Sequence, residues 1–72
     1  MFPNLNAEQA RYGENNAVVA EMLGITRAAY ESKKRSGKFS ISDANKLCDH
    51  YKCNYAYLFS TDPISPGKEY TA

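Results

Sequence analysis

The sequence has no tryptophan, a single histidine and only two cysteines among its 72 residues. Two cysteines, Cys48 and Cys53, are too few for the disulfide framework of a small secreted domain, which usually needs four or more. Together with His50 they offer three potential zinc ligands at unsuitable spacing, whereas a structural zinc site needs four. We therefore predict structural, buried cysteines, a histidine at the surface or its rim, no metal and no cofactor.

The chain also lacks the features that membrane proteins and enzymes need. No apolar run approaches the roughly 20 residues of a membrane helix, and no basic-then-apolar leader is recognisable. There is no Gly-rich phosphate loop and no nucleophile motif. We expect a soluble, cytoplasmic protein that is not an enzyme, has no catalytic residue and takes no small-molecule ligand.

Net charge is small, but it is unevenly distributed along the chain. The total is only +1 at pH 7. Residues 26–40 contain five basic residues and one acidic residue, a balance of +4, and the rest of the chain carries −3. DNA responds to the potential of the face presented to it, so this asymmetry favours a nucleic-acid partner. The alternative interpretation is that these charges form a run at a helix end that is simply exposed to solvent.

Capping residues and glycines predict five short helices in one all-α domain. Asparagine, serine and threonine favour the position before a helix, and glycine favours the position after it. A shift to proline and glycine after Thr61 predicts a loosely ordered tail over residues 61–72, which leaves residues 1–60 as the domain. The predicted helices follow caps at Asn4, Asn15, Thr26, Ser40 and Asn54, and cover Leu5–Tyr12, Asn16–Leu23, Arg27–Arg35, a segment from Ile41 to about Tyr51, and Tyr55–Phe59.

Apolar spacing predicts which side chains form the core. One face of the fourth helix carries apolar residues at helical spacing: Ile41, Ala44, Leu47, Cys48 and Tyr51. We also predict that Tyr12, Tyr30 and Tyr51 face the core. The angle between the second and third helices would be filled by Val19, Leu23, Ile25 and Tyr30, with Ala20 at the close approach of the two backbones and Gly24 at the turn.

Two sequence segments carry a resemblance to a known family. The motif A-x-x-x-G-I-T-R occupies Ala20–Arg27, and N-Y-A-Y-L-F occupies Asn54–Phe59. With the first helix ending at Gly13, this pattern resembles the helix-turn-helix domains of the Cro and λ-repressor (XRE) family. More narrowly, the run Y-E-S-K-K-R-S-G-K-F-S-I-S-D-A at Tyr30–Ala44, combined with the segment Asn54–Phe59, resembles small phage-encoded regulators. The resemblance implies a compact five-helix fold and a transcriptional repressor that binds double-stranded DNA sequence-specifically.

The resemblance also implies a role for each residue of the third helix. Helix 27–35 would enter the major groove, with its N-terminal part reaching the base edges. Glu31 has an alternative role as an intrahelical partner of Arg27 or Arg35. The resemblance implies base-reading by Arg27, Ala28, Glu31 and Ser32, and phosphate binding by Asn16, Thr26, Lys33, Arg35 and Lys38.

The sequence departs from the family pattern at three places. The second helix opens with Asn15-Asn16 instead of Ser/Thr-Gln. Lys52 stands where the family commonly has a glycine in the left-handed conformation. The family's arginine–glutamate pair between the first and third helices would be charge-swapped here, which predicts a pair between Glu8 and Lys34.

A module of this size would bind an operator weakly, so we expect two copies on a pseudo-palindromic site. The homodimer would be weak, or would form only on DNA. Its contact surface would lie within Tyr55–Tyr70, with Tyr57, Leu58 and Ile64 exposed. The competing hypothesis is a helix-turn-helix fold used as a protein-binding module, such as an antirepressor, an antitoxin-like partner or an adaptor, because fold does not determine function.

Overall fold

Residues 2–62 are described by a computed structural model, and within this range the chain forms five helices and no strand. This confirms the predicted all-α, five-helix fold. None of these helices is long and apolar enough to cross a membrane. The helices are α1 (Pro3–Arg11), α2 (Asn16–Leu23), α3 (Arg27–Ser36), α4 (Ile41–Tyr51) and α5 (Tyr55–Leu58).

Four of the five predicted caps are confirmed. The side-chain oxygens of Asn15, Thr26, Ser40 and Asn54 each accept the backbone N–H three residues further on, at 2.9–3.1 Å. Each bond satisfies one of the backbone donors that a helix start leaves without a partner. The beginnings of α2 to α5 therefore follow from local sequence.

The start of α1 was predicted wrongly. The helix begins at Pro3 rather than Leu5, because proline has a suitable φ for the first helical position and no N–H that needs a partner there. Asn4 therefore lies inside the helix and is buried. Its side-chain amide donates to the carbonyls of Tyr57 and Asp62, both at 3.0 Å, and so ties α1 to the end of α5.

The core is built from all five helices. Val19, Leu23 and Tyr30 are buried between α2 and α3 as predicted, and Ile25 packs against them. Leu5, Leu47 and Leu58 bring in α1, α4 and α5. The buried cluster consists of Phe2, Leu5, Val19, Ala20, Leu23, Tyr30, Leu47, Tyr51, Cys53, Tyr57 and Leu58.

Several predicted positions of apolar residues are corrected by the structure. Ile41 is 82 % exposed, because it is the first residue of α4 and lies outside the packed part of that helix. Tyr12 follows the end of α1 and is 46 % exposed; its ring packs edge-to-face on Tyr51 and lies tilted beside His50. Cys48 is half-buried, whereas Cys53 is buried as expected.

The predicted contact surface for a second copy also changes. Tyr57 and Leu58 are fully buried, because α5 turns these two side chains into the core against α1. They are therefore unavailable to a partner, whereas Tyr55 on the same helix is 63 % exposed. Ile64 and the predicted tail from residue 63 onward lie outside the described residues.

The predicted pair between Glu8 and Lys34 does not form. Glu8 is buried, and its carboxylate accepts the Tyr57 hydroxyl at 2.7 Å and pairs with Arg11 at 3.0 Å. Lys34 instead donates to the Asn16 side chain at 3.2 Å and lies over the ring of Tyr30. Glu8 thus has its partners on α1 and α5, whereas Lys34 has its partners on α2 and α3.

Three phenylalanines join the two ends of the described chain to its middle. The ring of Phe2 lies 5.9 Å from that of Phe39 and 5.3 Å from that of Phe59, centroid to centroid. Phe39 and Phe59 are 5.4 Å apart. These separations are those of attractive aromatic pairs, so this phenylalanine cluster holds α1, the α3–α4 connection and α5 together.

Candidate nucleic-acid interface

The turn between α2 and α3 contains three residues, Gly24, Ile25 and Thr26. Gly24 has φ +75°, a left-handed conformation that is unfavourable for residues with a Cβ. The Ile25 N–H donates to the Ala20 carbonyl at 3.0 Å and the Gly24 N–H to that of Glu21 at 3.1 Å, which closes the end of α2. Thr26 then caps α3, so the two helices are joined with little freedom between them.

α3 has one buried side and one exposed side. Tyr30 is fully buried and anchors the helix in the core, and Ala29 is half-buried. Arg27, Ala28 and Ser32 are exposed, and the Glu31 side chain is 36 % exposed. The predicted base-reading residues therefore lie on the side of α3 that faces solvent.

The residues predicted to bind phosphate differ in how far their polar groups are already engaged. Arg35 and Lys38 are exposed, and neither forms an ion pair within residues 2–62. Lys33 is half-buried, and its ammonium lies 3.4 Å from the Asp43 carboxylate on α4. The Thr26 hydroxyl accepts the Ala29 N–H. Arg35 and Lys38 are thus the best placed of the set to meet an anion.

Asn16 is at the centre of a polar network that joins the first three helices. Its side-chain oxygen accepts from Gln9 at 2.9 Å and from Lys34 at 3.2 Å, and its amide donates to Glu31 at 3.1 Å. The Gln9 oxygen in turn accepts the hydroxyl of buried Tyr30 at 2.8 Å. Among residues 2–62, every polar group of the Asn16 side chain except one amide hydrogen thus has a partner.

A shallow depression of about 140 Å³ lies beside this network, lined by Asn16, Glu31, Lys34 and Arg35. Burial lowers the pKa of Lys34, an effect partly opposed by the negative charge of Glu31. Burial raises the pKa of the Tyr30 hydroxyl, with a smaller contribution from Glu14. The lining of the depression thus combines the cationic side chains of Lys34 and Arg35 with the Glu31 carboxylate and the Asn16 amide.

Sequence reasoning missed the roles of Gln9 and Lys34. Gln9 lies seven residues before Asn16, across the turn at Gly13, so no helical spacing pointed to a contact between them. Lys34 was assigned to Glu8 by analogy with the family. Its position on the same face as Tyr30, four residues earlier, is the one local signal that could have placed it over that ring.

A second polar cluster lies away from α3, between the α1–α2 connection and α4. The Glu14 carboxylate accepts the Tyr51 hydroxyl and contacts the His50 ring nitrogen, both at 2.8 Å. Burial, followed by the bond to Glu14, raises the pKa of Tyr51. The cluster of Glu14, His50 and Tyr51 therefore fastens α4 to the α1–α2 connection.

No group of three or more histidine, cysteine or acidic side chains among residues 2–62 is arranged to hold a metal ion.

Comparison with known proteins adds no relative to this description. No family model, no curated protein and no solved structure matches the chain.

Proposed function

We propose that the protein is a sequence-specific regulator of transcription, a repressor of the phage or mobile-element type, that inserts α3 into the major groove of double-stranded DNA. The exposed, cationic side of α3 is the observation that supports this proposal most directly. Residues 26–40 carry a balance of +4 in a chain of net charge +1. Tyr30 anchors the opposite side of the helix in the core, so the exposed side is presented in one orientation.

Base recognition falls to the exposed residues near the start of α3. Arg27 donates a bidentate pair to guanine, a contact worth about 1–3 kcal/mol of discrimination. Ala28 meets a thymine methyl group, and Ser32 bonds to a base edge in either direction. Glu31 either accepts from cytosine or acts as the partner of Arg27, from which it lies 3.4 Å.

Phosphate contacts flank this reading side. Among the residues proposed to contact phosphate, Arg35 and Lys38 are the exposed cations. Lys33, Asn16 and the start of α3 at Thr26 complete the set. Each phosphate neutralised by a cation contributes about −0.9 to the logarithmic salt slope of binding. Two copies on a pseudo-palindromic operator would have half-sites about one helical turn, 34–36 Å, apart. The homodimer is weak or forms only on DNA, and the protein acts in the cytoplasm.

The decisive experiment is selection of bound sequences from a random DNA pool, followed by binding measurements on the selected site. We expect Arg27→Ala to relax the preference at one base pair, and Lys38→Ala to weaken all sequences alike and to reduce the salt slope by about one. Lys46→Ala, which removes an exposed cation of α4 outside residues 26–40, is the matched control for charge.

Two outcomes would count against the proposal. Equal losses of Arg27→Ala on the selected site and on random DNA would remove Arg27 from the base-reading residues. Failure of the wild-type protein to select or shift any DNA at low salt, together with a co-purifying protein, would favour the protein-binding module.

A further inference from the structure

A line of polar contacts leads from the core to the N-terminal end of α3. The Tyr30 hydroxyl donates to Gln9, Gln9 donates to Asn16, and Asn16 donates to Glu31, at 2.8, 2.9 and 3.1 Å. The same Glu31 oxygen that accepts from Asn16 lies 3.4 Å from Nε of Arg27. Because Tyr30 and Gln9 are buried, the inner end of this line is fixed by packing.

Arg27 is the side chain whose orientation this line of contacts restrains. It is 67 % exposed, and a long exposed side chain samples many rotamers unless something restrains it. The ion pair with Glu31 places a carboxylate oxygen 3.4 Å from Nε, on the side of the guanidinium away from the edge between the two terminal Nη groups. An arginine held in this way presents the edge formed by its two Nη groups, which is a bidentate donor pair suited to O6 and N7 of guanine.

We propose that Glu31 is a positioning residue that sets the base preference of Arg27, and that Asn16 holds Glu31 in place for this purpose. This inference rests on the proposed function, since it concerns how α3 reads DNA. It replaces direct reading of cytosine by Glu31 with an action through Arg27. It also gives Asn16 a role inside the protein in place of a phosphate contact.

The inference is tested with the full chain, by measuring affinity for the selected operator and for operators changed at one base pair at a time. The variants are Glu31→Gln, Arg27→Ala and the double variant, with Glu21→Gln as control. Glu21 is an exposed glutamate of α2, so its change removes the same charge without touching Arg27. Glutamine at position 31 keeps the size of the side chain, and a thermal melt verifies folding.

We expect Glu31→Gln to reduce discrimination about five- to tenfold at the same base pair that Arg27→Ala affects, and to have no further effect when Arg27 is already alanine. The control should change the affinity for all sites alike. An unchanged preference in Glu31→Gln would overturn the inference. So would a loss at a different base pair that adds to that of Arg27→Ala, because Glu31 would then read a base itself.

A measurement without DNA separates failure of the inference from failure of the proposed function. We expect the ¹⁵N-detected Nε–Hε signal of Arg27 to report a restrained side chain in the wild type and a mobile one in Glu31→Gln. Equal mobility in both overturns the inference whatever the protein does with DNA. A restrained Arg27 in a protein that selects no sequence means that the proposed function has failed, and the inference with it.

Discussion

At the scale of single residues, Glu8 shows how a buried charge is accommodated in so small a domain. A buried carboxylate is unfavourable unless it is paired and hydrogen-bonded. Here the Tyr57 hydroxyl and the Arg11 guanidinium supply both. Burial raises the pKa of Tyr57 to about 12, and the bond to Glu8 contributes to this rise, since ionising the hydroxyl would place a second negative charge beside Glu8.

Tyr57→Phe tests this arrangement. The change removes the hydroxyl and leaves the Glu8 carboxylate with one partner fewer, so we expect a loss of about 1–3 kcal/mol in the free energy of unfolding. Urea denaturation at pH 7 measures it. Tyr55→Phe is the matched control, because Tyr55 is 63 % exposed and its change should lie within about 0.5 kcal/mol of the wild type. Equal stabilities of the two variants would contradict the assigned role of Glu8.

At the scale of helices, α4 ends on a lysine in a conformation that favours glycine. Lys52 has φ +56°, the conformation expected at this position from the resemblance alone, and its N–H closes the helix on the Cys48 carbonyl. A residue with a Cβ is strained by about 1–2 kcal/mol in this region. The helix end is therefore a site where stability can be gained.

Lys52→Gly should raise the free energy of unfolding by about 1 kcal/mol, since relief of the strain exceeds the entropy that glycine adds to the unfolded chain. The same substitution at Lys46, exposed within α4, should lower it by about 1 kcal/mol. Thermal melts should show shifts of opposite sign, each about 4–8 °C for a domain of this size. A lower melting temperature for Lys52→Gly would refute this account.

The helix scale also shows what could be predicted from the sequence. The caps at Asn15, Thr26 and Ser40 and the turn at Gly24 were predicted correctly, because each depends on hydrogen bonds within a few residues. The left-handed conformation of Lys52 was expected only from the resemblance to the helix-turn-helix family. The surroundings of individual side chains were predicted less well. Glu8 and Tyr57 were misplaced because they are partners of each other across 49 residues of sequence. Ile41 and Tyr12 were misplaced because they lie at helix ends, outside the packed parts of α4 and α1. Within the candidate interface, the exposure of Arg27, Ala28 and Ser32 was expected from the resemblance, whereas the contacts of Asn16 with Gln9 and Lys34 were not.

At the scale of the whole molecule, three buried tyrosines make the domain sensitive to alkaline pH. Burial raises the pKa of Tyr30, Tyr51 and Tyr57 above the ordinary value of 10. Each therefore contributes stability that is fully present below pH 10 and is lost as pH rises through its raised pKa. Lys34 acts in the opposite direction, because burial lowers its pKa and the resulting penalty is relieved as pH rises.

We expect cooperative unfolding between about pH 10 and 12, because each buried tyrosine removes up to about 1.4 kcal/mol per pH unit from a stability of only a few kcal/mol. Absorbance at the phenolate band and circular dichroism should change together in one transition. Tyr57→Phe should lose less stability per pH unit over this range than the wild type. Native circular dichroism at pH 12, with all tyrosines ionised, would contradict the prediction.

The phenylalanine cluster and the bonds of Asn4 have a consequence for the order in which the domain folds. The contact from Asn4 to Asp62 spans 58 residues, whereas α2, its turn and α3 contact one another within about 20 residues. Closing a long loop carries a larger entropy penalty than closing a short one. We therefore expect α2 and α3 to pack together early in folding, and the contact between α1 and α5 to form last. Mutations at Phe2 or Phe59 should then speed unfolding more than they slow folding.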